Sequence, residues 1–237
     1  MKKILNKIDI YCDGADFDSM KFFYKKSFIK GFTTNPSLMN SSGIKNYKEF
    51  SKKALKIIKN KSLSLEVFSD DLNEMERQAN IISTWGKNIY VKIPITNTKG
   101  KSCLPIVEKL IEKKIKVNIT AVFTQNQITS IKKYLRKDSD VIVSIFAGRI
   151  ADSGVDPNKI ILKSIKLFKN YKGVKTLWAS TREIYNIIQA AKLKCDIITV
   201  PISMLKKLDI IGKNLEKYSL ETVKGFYLDA KKAKYKL

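Results

Sequence analysis

The chain has 237 residues, 44% of them hydrophobic and 29% charged, which suits one globular domain the size of a (β/α)8 barrel. Its net charge is +24, yet of 46 basic residues only Arg77, Arg136, Arg149 and Arg182 are arginine. Lysines spread along nearly every predicted helix indicate a solvated surface that attracts anionic small molecules. Nucleic-acid binding would call for clustered basic residues interleaved with aromatics.

At the start of the chain, Met1-Lys2-Lys3 precedes a short apolar stretch broken by Asn6 and Lys7, so no signal peptide is expected. No run of roughly 18 apolar residues follows anywhere, so no transmembrane helix and no membrane partner are expected. Eight β-rich runs then appear in order: Ile8 to Asp13, Phe28 to Thr33, Leu63 to Phe68, Asn88 to Pro94, Lys116 to Ala121, Val141 to Phe146, Val174 to Ser180 and Asp196 to Pro201. Gly31 makes the second the least regular. Between them lie segments with apolar residues at helical spacing, including Asn46 to Lys59, Leu72 to Trp85 and Lys99 to Lys114. This alternation predicts a parallel (β/α)8 TIM barrel as one domain over 1–237, with 214–237 as a C-terminal amphipathic helix and lysine-rich tail.

The chain has no histidine, which removes the commonest general base, the usual triads and most catalytic zinc sites. Cys12, Cys103 and Cys195 are odd in number and lie at no metal or redox spacing, which suits a reducing cytoplasm. Chemistry must therefore rest on Lys, Asp, Glu, Tyr, Ser, Thr, Cys or water.

Strand residues alternate between two faces. If Leu63, Leu65 and Val67 meet helices, Ser64 and Glu66 point inward. Val91 and Ile93 leave Lys92 inward, and Val117, Ile119 and Ala121 leave Asn118 and Thr120. Ile10 and Cys12 leave Asp13, and Val141, Val143 and Ile145 leave Ser144. In the seventh run, Leu177 and Ala179 are expected outward and Ser180 inward. Six runs thus aim a polar or charged residue at the C-terminal mouth, where the active sites of such barrels lie. Burying an Asp, a Glu and a Lys there is costly without a role. Lys92, within Ile89-Tyr90-Val91-Lys92-Ile93-Pro94-Ile95, is singled out by its apolar neighbours. Partial desolvation there favours a free amine able to attack a ketone. Lys116 and Lys175 fall at the beginnings of their strands, where the barrel's bottom can hydrate them.

The motifs resemble the transaldolase family, which includes the fructose-6-phosphate-aldolase type. The resemblance is carried by Gly31-Phe32-Thr33-Thr34-Asn35-Pro36-Ser37, Val91-Lys92-Ile93-Pro94, Asn118-Ile119-Thr120, Ser144-Ile145-Phe146-Ala147-Gly148-Arg149-Ile150 and Ala179-Ser180-Thr181-Arg182, in family order. It implies a class I aldolase barrel with the Schiff-base lysine, Lys92, on strand four. It also implies that Asp13 moves the proton of the hydroxyl beside the cleaved bond, and that Glu66 and Thr120 serve imine formation and hydrolysis through a water. Thr33, Asn35, Asn118, Ser144 and Phe146 would line the sugar site, and Arg149, Ser180 and Arg182 would take the phosphate. Glu66, Asn118 and Phe146 resemble transaldolase, where the aldolase subtype has a Gln, an apolar residue and a Tyr. The expected reaction transfers a dihydroxyacetone unit from a ketose phosphate, of the sedoheptulose 7-phosphate or fructose 6-phosphate type, to an aldose phosphate. No cofactor or metal is implied, and the partners implied are sugar phosphates. Family analogy implies a homo-oligomer, a decamer or a dimer, with the C-terminal helix as the subunit contact. A direct fructose-6-phosphate-type aldolase is the alternative. A non-catalytic lysine-rich binding protein on the same barrel is disfavoured because the whole residue set is present. The segment Ile150-Ala151-Asp152-Ser153-Gly154-Val155-Asp156 fits neither subtype cleanly.

Overall fold

The computed structural model describes Leu5 and residues 7–236. Met1, Lys2, Lys3, Ile4 and Asn6 of the leading stretch, and Leu237 at the end of the tail, lie outside the described residues. Eight strands close into a parallel barrel in sequence order: β1 (Asp9–Asp13), β2 (Ile29–Thr33), β3 (Ser62–Glu66), β4 (Ile89–Pro94), β5 (Val117–Val122), β6 (Val141–Ile145), β7 (Val174–Trp178) and β8 (Ile197–Pro201). Each lies inside or within one residue of its predicted run. Between them run helices α1 (Phe17–Tyr24), α2 (Pro36–Ser41), α3 (Tyr47–Ile57), α4 (Leu72–Ser83), α5 (Leu104–Glu112), α6 (Gln125–Lys132), α7 (Ala147–Asp152), α8 (Asn158–Phe168) and α9 (Tyr185–Lys192). After β8 come α10 (Ile202–Leu205), a 3-10 turn (Leu208–Ile210) and α11 (Leu215–Ala233).

Local chemistry sets the helix starts. Asp16, Asn35, Asn46, Asp71, Thr124 and Asn214 each accept a backbone N–H of the first turn through their side chain. Thr124 and Gln127 complete a capping box. The third helical segment starts later than its periodicity suggests. Residues 95–103 first fold back through an antiparallel bridge between Thr96 and Ser102, and the helix then begins at Leu104 with Pro105 in its first turn.

Two apolar layers hold the barrel. The outer one joins strand residues such as Ile10, Leu63, Leu65, Val91, Ile93, Ile119 and Val143 to the helices. A smaller inner plug of Tyr11, Ile142, Leu177, Ala179 and Ile197 fills the barrel below its mouth. Gly31 belongs to this plug by what it lacks. A Cβ there would lie 2.6 Å from the Tyr11 ring and 2.4 Å from Ser62 Oγ, so the residue that breaks the β2 pattern is what admits the Tyr11 ring. At the bottom, Lys116 and Lys175 pair with Asp140 and Asp9 at 3.5 and 3.7 Å, and Tyr90 Oη donates to Asp140 at 2.5 Å. The three cysteines are free and buried, and burial pushes the thiols up, to about 11 for Cys103 and about 12 for Cys195. Among the described residues, no helix is long and apolar enough to cross a membrane.

Candidate active site

Strand register builds the site. Glu66 on β3 lies beside Lys92 on β4, and Lys92 beside Asn118 on β5. On the other side of the barrel, Asp13 on β1 lies beside Thr33 on β2 and Pro201 on β8. One period-two pattern on adjacent parallel strands therefore brings these groups to a single level at the mouth.

Lys92 Nζ is buried, 7% exposed as a residue, and donates to Glu66 Oε2 at 2.8 Å and to the Thr34 carbonyl at 2.7 Å. Tyr47 Oη donates to the Glu66 carbonyl at 2.7 Å, which fixes the strand end carrying that carboxylate. Ser144 Oγ donates to Asn118 Oδ1 at 2.6 Å, while Asn118 Nδ2 donates to Ser64 Oγ at 3.1 Å. This pair of contacts sets which way the amide faces. Thr33 Oγ1 donates to Asp13 Oδ1 at 2.7 Å. Asp13 keeps some surface open to the mouth but is surrounded mostly by protein. Burial pushes its carboxyl above the ordinary range, the Thr33 hydroxyl and the Lys92 ammonium act against that, and Glu66 adds to it.

A cavity of about 190 Å³ opens at this end of the barrel. All the expected site residues except Glu66 line it: Asp13, Thr33, Asn35, Lys92, Asn118, Thr120, Ser144, Phe146, Arg149, Ser180 and Arg182. Glu66 joins the set through its contact with Lys92.

The seventh strand departs from expectation. Leu177 and Ala179 face the barrel interior, and Trp178 packs outward with the helices. Alternation would send Ser180 outward as well. It reaches the cavity because β7 has ended and Ser180 takes a left-handed backbone, φ +62°. A second such residue, Ala121 at φ +57°, sits where the β5–β6 register shifts, next to Thr120. Strained backbone thus flanks the mouth on both sides of β6, as is common around reacting groups.

Arg149, in α7, places its guanidinium 5.5 Å from the Phe146 ring centre. Arg182 donates through Nε and Nη2 to Asp152 Oδ2 at 2.8 and 2.6 Å, which gives the unplaced segment after Arg149 one definite contact. Two contributors were missed from the sequence. The Thr34 carbonyl is backbone and leaves no sequence signal. Thr199 does leave one: it alternates with Ile198 and Val200 as Lys92 alternates with Val91 and Ile93.

A barrel whose mouth holds a buried lysine against a carboxylate, a second carboxylate and two arginines in one cavity has the groups that aldolase chemistry on sugar phosphates calls for. The family model for "Transaldolase/Fructose-6-phosphate aldolase" matches residues 10–237, and the chain belongs to that family. A "probable transaldolase" of Nitrosopumilus maritimus is 36% identical over 227 residues, covering 95% of this chain and 96% of that protein. One of Thermoplasma volcanium is 35% identical over 203 residues, covering 84% of this chain and 86% of that protein. Among solved structures, "QR15, an Aldolase" superposes with a TM-score of 0.56 at 12% identity, covering 90% of this chain and 100% of that chain. Orotidine 5'-monophosphate decarboxylase from Metallosphaera sedula superposes with a TM-score of 0.54 at 12% identity, covering 89% and 98%. These two likenesses concern the barrel fold alone.

Gly148 gives a direct test of how the arginine end is built. A Cβ there would lie 1.6 Å from the Ser180 carbonyl oxygen, so any side chain must separate α7 from the loop after β7. Gly148→Ala is expected to cost about 1–3 kcal/mol, as overpacking does, and to weaken binding of phosphorylated substrate. Denaturant unfolding and substrate titration measure both. Unchanged stability would contradict the close approach.

Proposed function

We propose that the chain is a transaldolase that moves a dihydroxyacetone unit from a ketose phosphate to an aldose phosphate through an imine on Lys92. The observation that carries this reading is the buried Lys92 Nζ, 2.8 Å from Glu66 and sharing one cavity with Asp13.

Glu66 is placed to take the proton of the Lys92 ammonium, which frees the amine for attack on the ketose carbonyl. Glu66 and Thr120, with a water, carry the proton transfers by which the carbonyl oxygen leaves as water on imine formation and a water is taken up again on hydrolysis. The protonated imine then draws electrons as the bond between carbons three and four breaks, and Asp13 accepts the proton of the carbon-four hydroxyl. The aldose phosphate leaves, and the three-carbon enamine stays bound to Lys92. Asn35, Asn118 and Ser144 hold its hydroxyls, with Thr33 beside Asp13. Arg149, Ser180 and Arg182 receive the phosphate, the planar guanidinium suiting its oxygens. An aldose phosphate acceptor then reverses the sequence, which predicts ping-pong kinetics.

Phe146 lines the cavity without a hydroxyl, and this favours transfer over release. Free ketone forms only when a proton reaches the enamine carbon, and an aromatic ring offers none there. Phe146→Tyr is expected to raise dihydroxyacetone release relative to transfer by at least about tenfold, a modest part of what a positioned proton donor supplies. Fructose 6-phosphate with and without an aldose phosphate acceptor measures the ratio. An unchanged ratio would contradict the assignment, and rapid release by the wild type would favour the direct aldolase.

The same reading takes the chain as one barrel domain working in the cytoplasm as a homo-oligomer. Among the described residues none in α11 is buried, and Leu220, Val223, Phe226 and Tyr227 stand exposed on it. A helix that buries none of its side chains gains nothing from tertiary packing and needs an apolar partner. A neighbouring copy supplies one through the groove lined by Phe22, Phe23, Phe28, Leu205 and Leu208. Light scattering is expected to show a dimer or larger ring for the full chain and a smaller species for Phe226→Glu. A monomeric wild type, or a variant of unchanged mass, would contradict this.

A further inference from the structure

β8 brings to the mouth a polar side chain with no part in the scheme above, Thr199. It is buried at 5% exposed, lies in register with Tyr11 on β1, and lines the cavity one turn of the pleat below Asp13. Its Oγ1 is 2.5 Å from Thr33 Oγ1. Thr181 Oγ1 donates to the Thr199 carbonyl at 2.6 Å, so the backbone at this point is pinned by the loop after β7.

The direction of the hydroxyl contact follows from counting hydrogens. In the ionised form that can take up the substrate proton, Asp13 only accepts, so the single hydrogen of Thr33 goes to Asp13 Oδ1. Thr33 then has only lone pairs to offer Thr199, and Thr199 is the donor. The result is a one-way chain from Thr199 to Thr33 to Asp13, within a site where neither threonine is more than 5% exposed. Donation from Thr199 polarises the Thr33 O–H and fixes its rotor on the carboxylate. Without it, the Thr33 hydrogen can turn away.

We propose that Thr199 is a positioning residue for proton transfer at Asp13, acting through Thr33. The proposal rests on the proposed role of Asp13 as the acceptor of the substrate hydroxyl proton. In that step the hydroxyl proton moves to Asp13 while the electrons of the breaking carbon–carbon bond pass into the protonated imine on Lys92. The hydroxyl chain favours the ionised form of Asp13, the form that can accept the proton, and holds one carboxylate oxygen so that the other faces the substrate. Other charges act on Asp13 as well, Lys92 from β4 and Glu66 from β3, and Arg149 and Arg182 line the same cavity. The flanking strands bring Thr33, Thr199 and Pro201 to this part of the cavity, none of them charged, so the two hydroxyls are the polar control on Asp13 from its neighbouring strands.

Thr199→Val keeps the shape and removes the donor. It should lower kcat for cleavage about three- to tenfold, the reach of one hydrogen bond, with KM nearly unchanged. The acid limb of the kcat–pH profile should move to higher pH, because the carboxylate loses support for its ionised form. Thr199→Ala should act likewise, and Thr199→Ser should bring the limb back to its wild-type place. Borohydride trapping of the imine on Lys92 in each variant shows that the barrel is folded and competent up to bond cleavage. A raised KM with unchanged kcat and pH limb would make Thr199 a substrate contact and overturn the proposal, as would wild-type behaviour throughout. Asp13→Asn separates the two levels. If it cleaves at the wild-type rate, the role of Asp13 falls and takes this proposal with it. If it is inactive while Thr199→Val is unaltered, only the proposal about Thr199 is overturned.

Discussion

The constraint on which the structure turns is the burial of a lysine at the mouth of the barrel. An ammonium taken out of water is expensive unless it is paired and its hydrogens are used. Lys92 is paired with Glu66 and gives a second of its three hydrogens to the Thr34 carbonyl. Those partners are themselves held: Tyr47 grips the Glu66 backbone, and Thr34 donates through its own hydroxyl to the Ser64 carbonyl. Replacing Glu66 alone would leave a buried charge unpaired, so the pair is a single unit in stability as well as in chemistry.

Around that unit the barrel divides its charges by position. The lysine pairs at the bottom and on the helices are exposed and contribute little. The two mouth arginines stand where backbone strain and a glycine are concentrated: Ser180 is left-handed, and Gly148 lets its carbonyl approach α7. This geometry aims residues from a loop and a helix start at one edge of the cavity, opposite the lysine strand. The net charge of +24 adds a long-range field favouring anionic substrates.

Much of this was legible in the sequence because parallel strands obey a simple rule. Alternation placed Lys92, Glu66, Asn118, Thr120, Asp13 and Ser144 on the inner face, and closure of the barrel brought them together. Gly31 looked like a defect in β2 because its role depends on Tyr11 of another strand. Alternation misled at β7, where Leu177 and Ala179 are apolar but face inward to complete the plug. There the interior is itself hydrophobic, so polarity cannot mark the faces, and Ser180 reaches the site only through a backbone turn. Thr199 was readable by the same alternation that found Lys92. The Thr34 carbonyl and the Asp152–Arg182 contact were not readable, since backbone groups and loop encounters carry no periodic signal.

The central claim is that Lys92 forms the covalent intermediate. Incubation with fructose 6-phosphate, borohydride reduction and mass mapping of peptides tests it most directly. The account predicts a reduced three-carbon adduct on Lys92 and on no other of the 42 lysines. An adduct on a different lysine, or none with any ketose phosphate donor, would contradict it.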